Sequence, residues 1–240
     1  MNDTQNKNNL DKIKLFYDSV YYKNKAKPKH WFFSHYHNLA REIKISEKQH
    51  VLDIACGTGE WLFICSKNGA IPYGVDLSSK AISTCKTLMP KGIFHSTPAE
   101  ELPFTDKKFD CISCLGALEH FVDAQKALAE MLRVAKDNAI FLFLVPNADF
   151  LTYRLKLYKG TNQAGIKEDI RTLAEWEKLF EKSGLKVTKK WRDLHVLSWS
   201  WISLGKWYLI PLRAVQAIAL TLWPLKWQYQ VYHLCQKRPL

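Results

Sequence analysis

The chain has 240 residues, enough for one sizeable α/β domain with decorations or two small domains at most. Hydrophobic residues make up 47% of it and charged residues 24%, which excludes an intrinsically disordered protein. The formal net charge of +12 favours anionic partners (nucleic acid, anionic lipid headgroups or phosphorylated substrates) without choosing among them.

Met1–Asp11 is rich in Asn and Lys, lacks the apolar stretch of a secretion signal, and reads as a mobile tail. The six cysteines, Cys56, Cys65, Cys85, Cys111, Cys114 and Cys235, are therefore expected as free thiols in a reducing, cytoplasmic compartment. Ile13–Tyr22 (IKLFYDSVYY) patterns as an aromatic amphipathic helix, Lys23–His30 as a basic, proline-containing turn, and Trp31–Ile43 as a second helix.

After Glu47 the periodicity changes. Val51–Ala55, Ile71–Val75, Gly92–His95, Phe109–Cys114 and Ala139–Val145 read as buried strands. Trp61–Lys67, Ser79–Leu88 and Asp123–Val134 read as helices among them. This alternation predicts a parallel sheet with helices on both faces. Cys111-Ile-Ser-Cys114 has the spacing of a metal or redox pair, but in a strand those thiols face opposite sides and no second pair is near.

Past Pro146 the pattern loosens through Ala148–Arg171, a candidate insertion. Thr172–Lys182 is a helix, with Thr172 as its cap, Glu175 three residues on and Gly184 at its end. Leu185–Trp191 reads as a sixth strand and Tyr229–Gln236 as a final one. The chain thus divides into a tail and helical lid (1–46), a core (47–193), an aromatic, basic insertion (194–228) and a last strand with its tail (229–240).

The stretch VLDIACGTGEW, Val51–Trp61, carries the first chemical signal. Gly57 and Gly59 in a short strand-to-helix loop let a ligand touch backbone at a helix N-terminus. Dinucleotides, nucleoside phosphates and other adenosyl ligands are held by such loops. This one lacks the Lys of a phosphate loop and the third glycine of the dinucleotide fingerprint. A tight turn that uses glycine for geometry alone is the competing reading.

Val51–Gly59 resembles motif I of the class I S-adenosylmethionine-dependent methyltransferases, in particular their small-molecule, type 11 group. Three further segments agree in order and spacing: Tyr73-Gly-Val-Asp76-Leu-Ser; Ala99–Phe104 with Lys108-Phe-Asp110; and Leu115-Gly-Ala-Leu-Glu-His120. Asp76 lies 23 residues after Asp53, close to the spacing of a ribose-binding acidic residue. The resemblance spans about Leu39 to Val187. It implies a Rossmann-like α/β fold with a mostly parallel seven-stranded sheet and helices on both faces. An N-terminal helical lid and a Trp-rich helical insertion before the last strand would be added to it.

The resemblance also implies S-adenosylmethionine as co-substrate and a set of roles. Asp53 would order the glycine loop and reach the ligand's ammonium through water, while the backbone at Ala55, Gly57 and Gly59 receives the methionine moiety. Asp76 would accept the ribose hydroxyls, Leu77 pack on adenine, Ala99 and Glu100 meet the adenine edge, and Leu115 close over the methionine end. Pro98 departs from the family, which often has Asp there; Glu100 or a backbone carbonyl would then take the adenine amine.

Methyl transfer is an in-line displacement, for which an enzyme supplies alignment, desolvation and, for a hydroxyl acceptor, a base. On motif grounds His120 is the candidate base, with Glu119 orienting it or the acceptor. The alternative is that both simply begin a helix and pack. Gly116 stands where the related metal-binding pattern ExxEH has its first Glu, so no metal is expected. Tyr17, Tyr21, Tyr22 and His195 are further candidates for the acceptor pocket, the tyrosines competing with plain aromatic packing of a lid helix. His30, His35 and His37 mark nothing sharper than a basic, aromatic surface.

Ser203–Gln230 sits where this fold joins its last two strands, and Trp207 stands in it as a candidate lid residue. Lys206 and Arg213 interrupt the segment, and the uncharged run Ala214–Leu225 is too short to span a bilayer. Trp and Tyr at both ends with Lys and Arg interleaved match a segment lying at a membrane interface. A lid over a soluble acceptor, or a segment that only widens the core, are the alternatives. Nucleic acid is disfavoured, because the basic residues are scattered and no binding module is appended. Cys114-Leu-Gly-Ala also stands where an NPPY-type tetrapeptide would serve base-nitrogen chemistry.

The expectation is a cytoplasmic methyltransferase O-methylating a hydroxyl of a small or lipid-linked acceptor, such as a glycan, with peripheral contact to anionic membrane. A C- or O-methyltransferase of quinone-type ring biosynthesis is one alternative, and a non-catalytic S-adenosylmethionine-binding protein is the other.

Overall fold

A computed structural model describes residues 3–22, 34–154, 168–203 and 206–238. The basic turn with His30, the residues Trp31–Phe33 and most of the loose stretch after Pro146 lie outside the described residues. Seven strands form one sheet: β1 (His50–Ile54), β2 (Ile71–Asp76), β3 (Ile93–Ser96), β4 (Phe109–Leu115), β5 (Ala135–Pro146), β6 (Leu185–Arg192) and β7 (Gln230–Lys237). Their order is β3-β2-β1-β4-β5-β7-β6. Only β7 runs antiparallel to its neighbours.

The helices are α1 (Asp3–Phe16), α2 (Ser34–Glu42), α3 (Glu60–Lys67), α4 (Ser79–Leu88), α5 (Ala124–Val134), α6 (Leu151–Arg154), α7 (Leu173–Lys182), α8 (Trp199–Ile202) and α9 (Ile210–Leu222). The central strands are buried on both faces, so adjacent residues feed different apolar layers. Leu52, Ile112, Phe141 and Phe143 pack with Leu128, Met131 and Trp176 in one layer. Val51, Cys111 and Leu142 pack with Leu62, Ile64 and Ile82 in the other. Cys111 and Cys114 accordingly lie in opposite layers, as strand alternation requires. Each large side chain so buried contributes about 1.5–3 kcal/mol.

Two helix starts have side-chain caps that the sequence announces. Asp123 accepts a hydrogen bond from the Lys126 amide at 2.9 Å, and Thr172 with Glu175 forms a capping box. Ala127, Leu128, Met131 and Val134 make the buried stripe of α5.

Two boundaries differ from expectation. The presumed tail is helical from Asp3. Its Leu10, with Ile13 of the expected helix, lines the cavity described below, so tertiary contact supports a stretch too polar to announce itself. The second is at β5, which starts four residues early, at Ala135, because Ala135 pairs with Phe109 before a register shift brings Ile140 opposite Cys111. The exposed Asp137 and Asn138 of the shifted region hide that start in the hydropathy pattern.

The chain leaves β6 and enters β7 at the same end of the sheet, since Arg192 pairs with Val231 and Pro146 with Gln230. The aromatic segment therefore leaves from and returns to the carboxyl edge of the parallel strands. Among the described residues no helix is long and apolar enough to cross a membrane.

Candidate active site

The strand order reverses between β1 and β4, so their carboxyl ends send the chain in opposite directions and leave a crevice. A cavity of about 280 Å³ opens there, lined by the ends of β1, β2 and β4, the turn after β3, and the N-terminal helix. Its floor is the loop from β1 to α3. Ala55 and Gly57 adopt φ of 56° and 55°, a region that strains a side-chain-bearing residue such as Ala55. A Cβ on Gly57 would lie 3.1 Å from the Tyr22 hydroxyl, so the backbone is bare where the cavity narrows.

Gly59 has a packing task that the sequence does not announce. It does not line the cavity. With φ of 83°, it turns toward α4, and a Cβ there would sit 2.9 Å from both Cys85 Sγ and Met89 Cε. Gly59→Ala should destabilise the protein by about 1–3 kcal/mol through strain and overpacking. Thermal unfolding followed by circular dichroism should show a midpoint lower by about 2–4 °C per kcal/mol. An unchanged midpoint would refute this packing role.

Two buried carboxylates frame the loop. Asp76, at the end of β2, accepts the Gly57 amide at 2.9 Å on Oδ2 and the Ser78 amide at 2.8 Å on Oδ1. Asp53 lies one strand over. Its Oδ1 accepts the Ser113 hydroxyl at 2.6 Å, and Ser113 Oγ in turn accepts the Trp61 indole N–H at 2.9 Å. Burial pushes the Asp53 carboxyl up to about 8, which suits it to a cationic ligand group that would restore its charge.

The turn after β4 presents Leu115 and Gly116, then a 3₁₀ turn, Leu118–His120. Leu118 is buried and anchors the turn, so His120 faces the cavity while Glu119 turns away from it. Among the described residues, His120 Nδ1 is buried with no hydrogen-bond partner. Its Nε2 lies 3.9 Å from Glu119 Oε1. Burial lowers the His120 imidazole below its ordinary range and pushes Glu119 up to about 7, so the low-polarity surroundings favour the neutral form of each.

The lid is aromatic. α1 runs into a π turn, Tyr17–Tyr21, which brings Tyr17 and Tyr21, with Tyr22 after them, to the cavity. Tyr21 packs edge-to-face on Tyr17 and on Tyr22 at centroid distances of 5.5 and 4.9 Å. Asp18 fastens this turn to the start of α4: its carboxylate accepts the Ser78 hydroxyl at 2.5 Å and the Ser79 hydroxyl at 3.2 Å. Burial and the Asp76 charge raise the Tyr17 and Tyr22 phenols well above their ordinary range, so both stay neutral.

Leu77, Ala99 and Glu100 line the cavity together with Thr97. Glu100 is buried, and its Oε1 already accepts the Asp123 amide at 3.1 Å. Thr97, Tyr36, Trp61 and Phe121 also line the wall and were not anticipated. Ser113, which holds Asp53, was missed as well; its signal is a lone hydroxyl in the apolar run FDCISCL, opposite Asp53 in the β1–β4 register.

Two candidates fall elsewhere. His195 lies outside the cavity, paired with Asp193 just beyond β6; that hydrogen bond raises its pKa. Trp207 is 80% exposed and also lies outside the cavity. Among the described residues no group of three or more His, Cys, Asp or Glu could hold a metal ion.

Residues 52–143 match a family model described as a methyltransferase domain. The chain is 30% identical over 185 residues to the uncharacterized methyltransferase YcgJ of Bacillus subtilis, covering 72% of this chain and 73% of that protein. It is 39% identical over 152 residues to the uncharacterized protein MJ1252 of Methanocaldococcus jannaschii, covering 62% of this chain and about half, 55%, of the relative. In three dimensions it resembles magnesium protoporphyrin IX methyltransferase of Synechocystis, solved with S-adenosylmethionine bound. The TM-score is 0.61 at 11% identity, over 96% of this chain and 97% of that one. The residues present fit that ligand: a bare-backbone loop at Gly57, a buried carboxylate at the end of β2, and a second one that burial holds short of its charge. The chain therefore belongs to the methyltransferase family, with the Rossmann-like class I fold and S-adenosylmethionine as its co-substrate.

Proposed function

We propose that the protein O-methylates a hydroxyl of a small or lipid-linked acceptor, with His120 as general base. The observation that carries this reading is an imidazole that lines the cavity and whose low-polarity surroundings favour its neutral, proton-accepting form. S-adenosylmethionine supplies an electrophilic sulfonium methyl, so that transfer to oxygen yields a methyl ether and S-adenosylhomocysteine. In this reading Asp53 faces the ligand's ammonium and Asp76 its ribose hydroxyls. His120 takes the hydroxyl proton on its imidazole, which can accept only while the ring is uncharged. Tyr17, Tyr21 and Phe121 wall the acceptor side with flat apolar rings, which exclude water and favour an acceptor with an apolar or ring-like body.

The test is incubation with methyl-labelled S-adenosylmethionine and separated aqueous and organic extracts of source cells, beside an Asp76→Ala control. Label should enter an extracted molecule as an O-methyl group, identified by magnetic resonance of the product, and should vanish in the control. A C-methyl product would move the reading to ring carbon methylation. No label in either extract, with cofactor binding intact, would favour the non-catalytic binder.

A further inference from the structure

Between Leu194 and Gln228 the chain has no Asp or Glu, although it has 23 acidic residues in all. The same stretch contains Lys206, Arg213, Lys226 and five tryptophans. Ten of the fourteen large apolar side chains exposed among the described residues fall in it, so the exposure is concentrated rather than scattered.

α9 supplies the centre of this surface. Leu212, Val215, Ile218 and Leu222 are 66, 65, 58 and 78% exposed and share one side of the helix, while Ala217 on the opposite side is fully buried. Trp207 and Tyr208 continue the surface beyond the N-terminal end of α9. Exposed Lys206 and Lys226 flank the helix, each ammonium 5.6 Å from the centroid of a neighbouring ring, Tyr208 and Trp227. Arg213 instead folds back, donating to the Trp201 carbonyl at 3.1 Å and stacking over its ring. An apolar face with tryptophans and cations at its margins and no acidic group complements an anionic lipid surface. A second copy of the same chain would set like charges against each other.

The placement of α9 ties this surface to the cavity. Asn147, just past β5, donates from Nδ2 to the carbonyls of Lys226 at 2.8 Å and Gln228 at 3.2 Å. Gln228 Nε2 donates to the Leu220 carbonyl at 2.7 Å and so holds α9 at the carboxyl edge of the sheet. A Cβ on cavity-lining Gly116 would lie 3.5 Å from Gln230 Nε2.

We propose that the exposed face of α9, with its flanking aromatic rings and lysines, lies in the interface of an anionic bilayer and sets the cavity beside the lipid phase. Its corollary, that the acceptor is lipid-linked, rests on the methyltransfer reading above.

The test is co-sedimentation of the full-length protein with vesicles of phosphatidylcholine, with and without phosphatidylglycerol. Binding to the anionic vesicles should be stronger and should weaken as salt is raised. Leu212→Glu with Ile218→Glu should reduce that binding at least about a hundredfold, with S-adenosylhomocysteine affinity unchanged. Lys206→Gln with Lys226→Gln, which leaves the apolar face intact, should reduce it about thirtyfold. Equal binding to both vesicles, or anionic binding unaffected by the lysine pair, would overturn the proposal. So would a wild-type dimer in sedimentation that the two glutamates dissolve, because the face would then belong to a second copy. Methyl transfer without vesicle binding removes the docking alone; vesicle binding without transfer to any extract removes the acceptor corollary and leaves the docking.

Discussion

Asp76→Ala is expected to weaken S-adenosylhomocysteine binding about a hundredfold or more, measured by titration calorimetry. The carboxylate accepts two backbone amides, from Gly57 and Ser78, at 2.9 and 2.8 Å. Hydrogen bonds to a charged group contribute about 1.5–3 kcal/mol each, and the alanine leaves both donors without their acceptor. One of those donors belongs to the floor of the cavity, so the loop should relax together with the loss of the proposed ribose contact. A factor of a hundred corresponds to about 2.7 kcal/mol, less than the two bonds together. Asp76→Asn, which keeps one acceptor oxygen, should fall between wild type and alanine. An affinity within a few-fold of wild type for the alanine variant would show that Asp76 holds only the loop and leaves the ligand to other groups.

His120→Ala should lower kcat by about a hundredfold to ten-thousandfold, the range for removal of a general base. Because the imidazole makes no hydrogen bond through Nδ1 among the described residues, its loss should leave cofactor affinity and the unfolding midpoint nearly unchanged. The pH dependence carries the sign of the shift. Burial lowers the imidazole pKa from 6.5, so the base form persists through neutral pH. In wild type, kcat/KM should fall only as pH drops below about 6.5, and the acid limb should be absent from the alanine variant's residual rate. An acid limb that survives in the variant would place the essential base elsewhere. A kcat that is unchanged would return His120 to a packing role.

Much of the site was legible because its parts are local. The strand ending in Asp53, the loop carrying Ala55 and Gly57, and Asp76 at the next strand end each follow from short-range pattern and spacing, and the fold brings them to one cavity. What the reading left out is long-range. Gly59 was assigned to the ligand with Gly57, and its φ of 83° is local, but the crowding of a Cβ there by Cys85 and Met89, more than two dozen residues later, was not legible. His195 is chemically suited to a site, but β6 lies at the far edge of the sheet from β1 and β4, and its partner is Asp193. The first part of α1, up to Asp11, was read as a tail because its polar residues carry no strong period; contact of Leu10 and of the following Ile13 with the cavity supports it.

The sequence by itself determined the alternation of strand and helix, the cofactor loop and the absence of acidic residues across the tryptophan-rich segment. These depend on neighbours in the chain, and periods of 2 and 3.6 residues record them directly. Only the tertiary structure decided which groups share a cavity and which face of α9 is left bare. Periodicity gives the angles of Leu212, Val215, Ile218 and Leu222 relative to one another, but not the direction of the whole set. That direction follows from the burial of Ala217 and from Gln228 holding the helix end, contacts made across the carboxyl edge of the sheet.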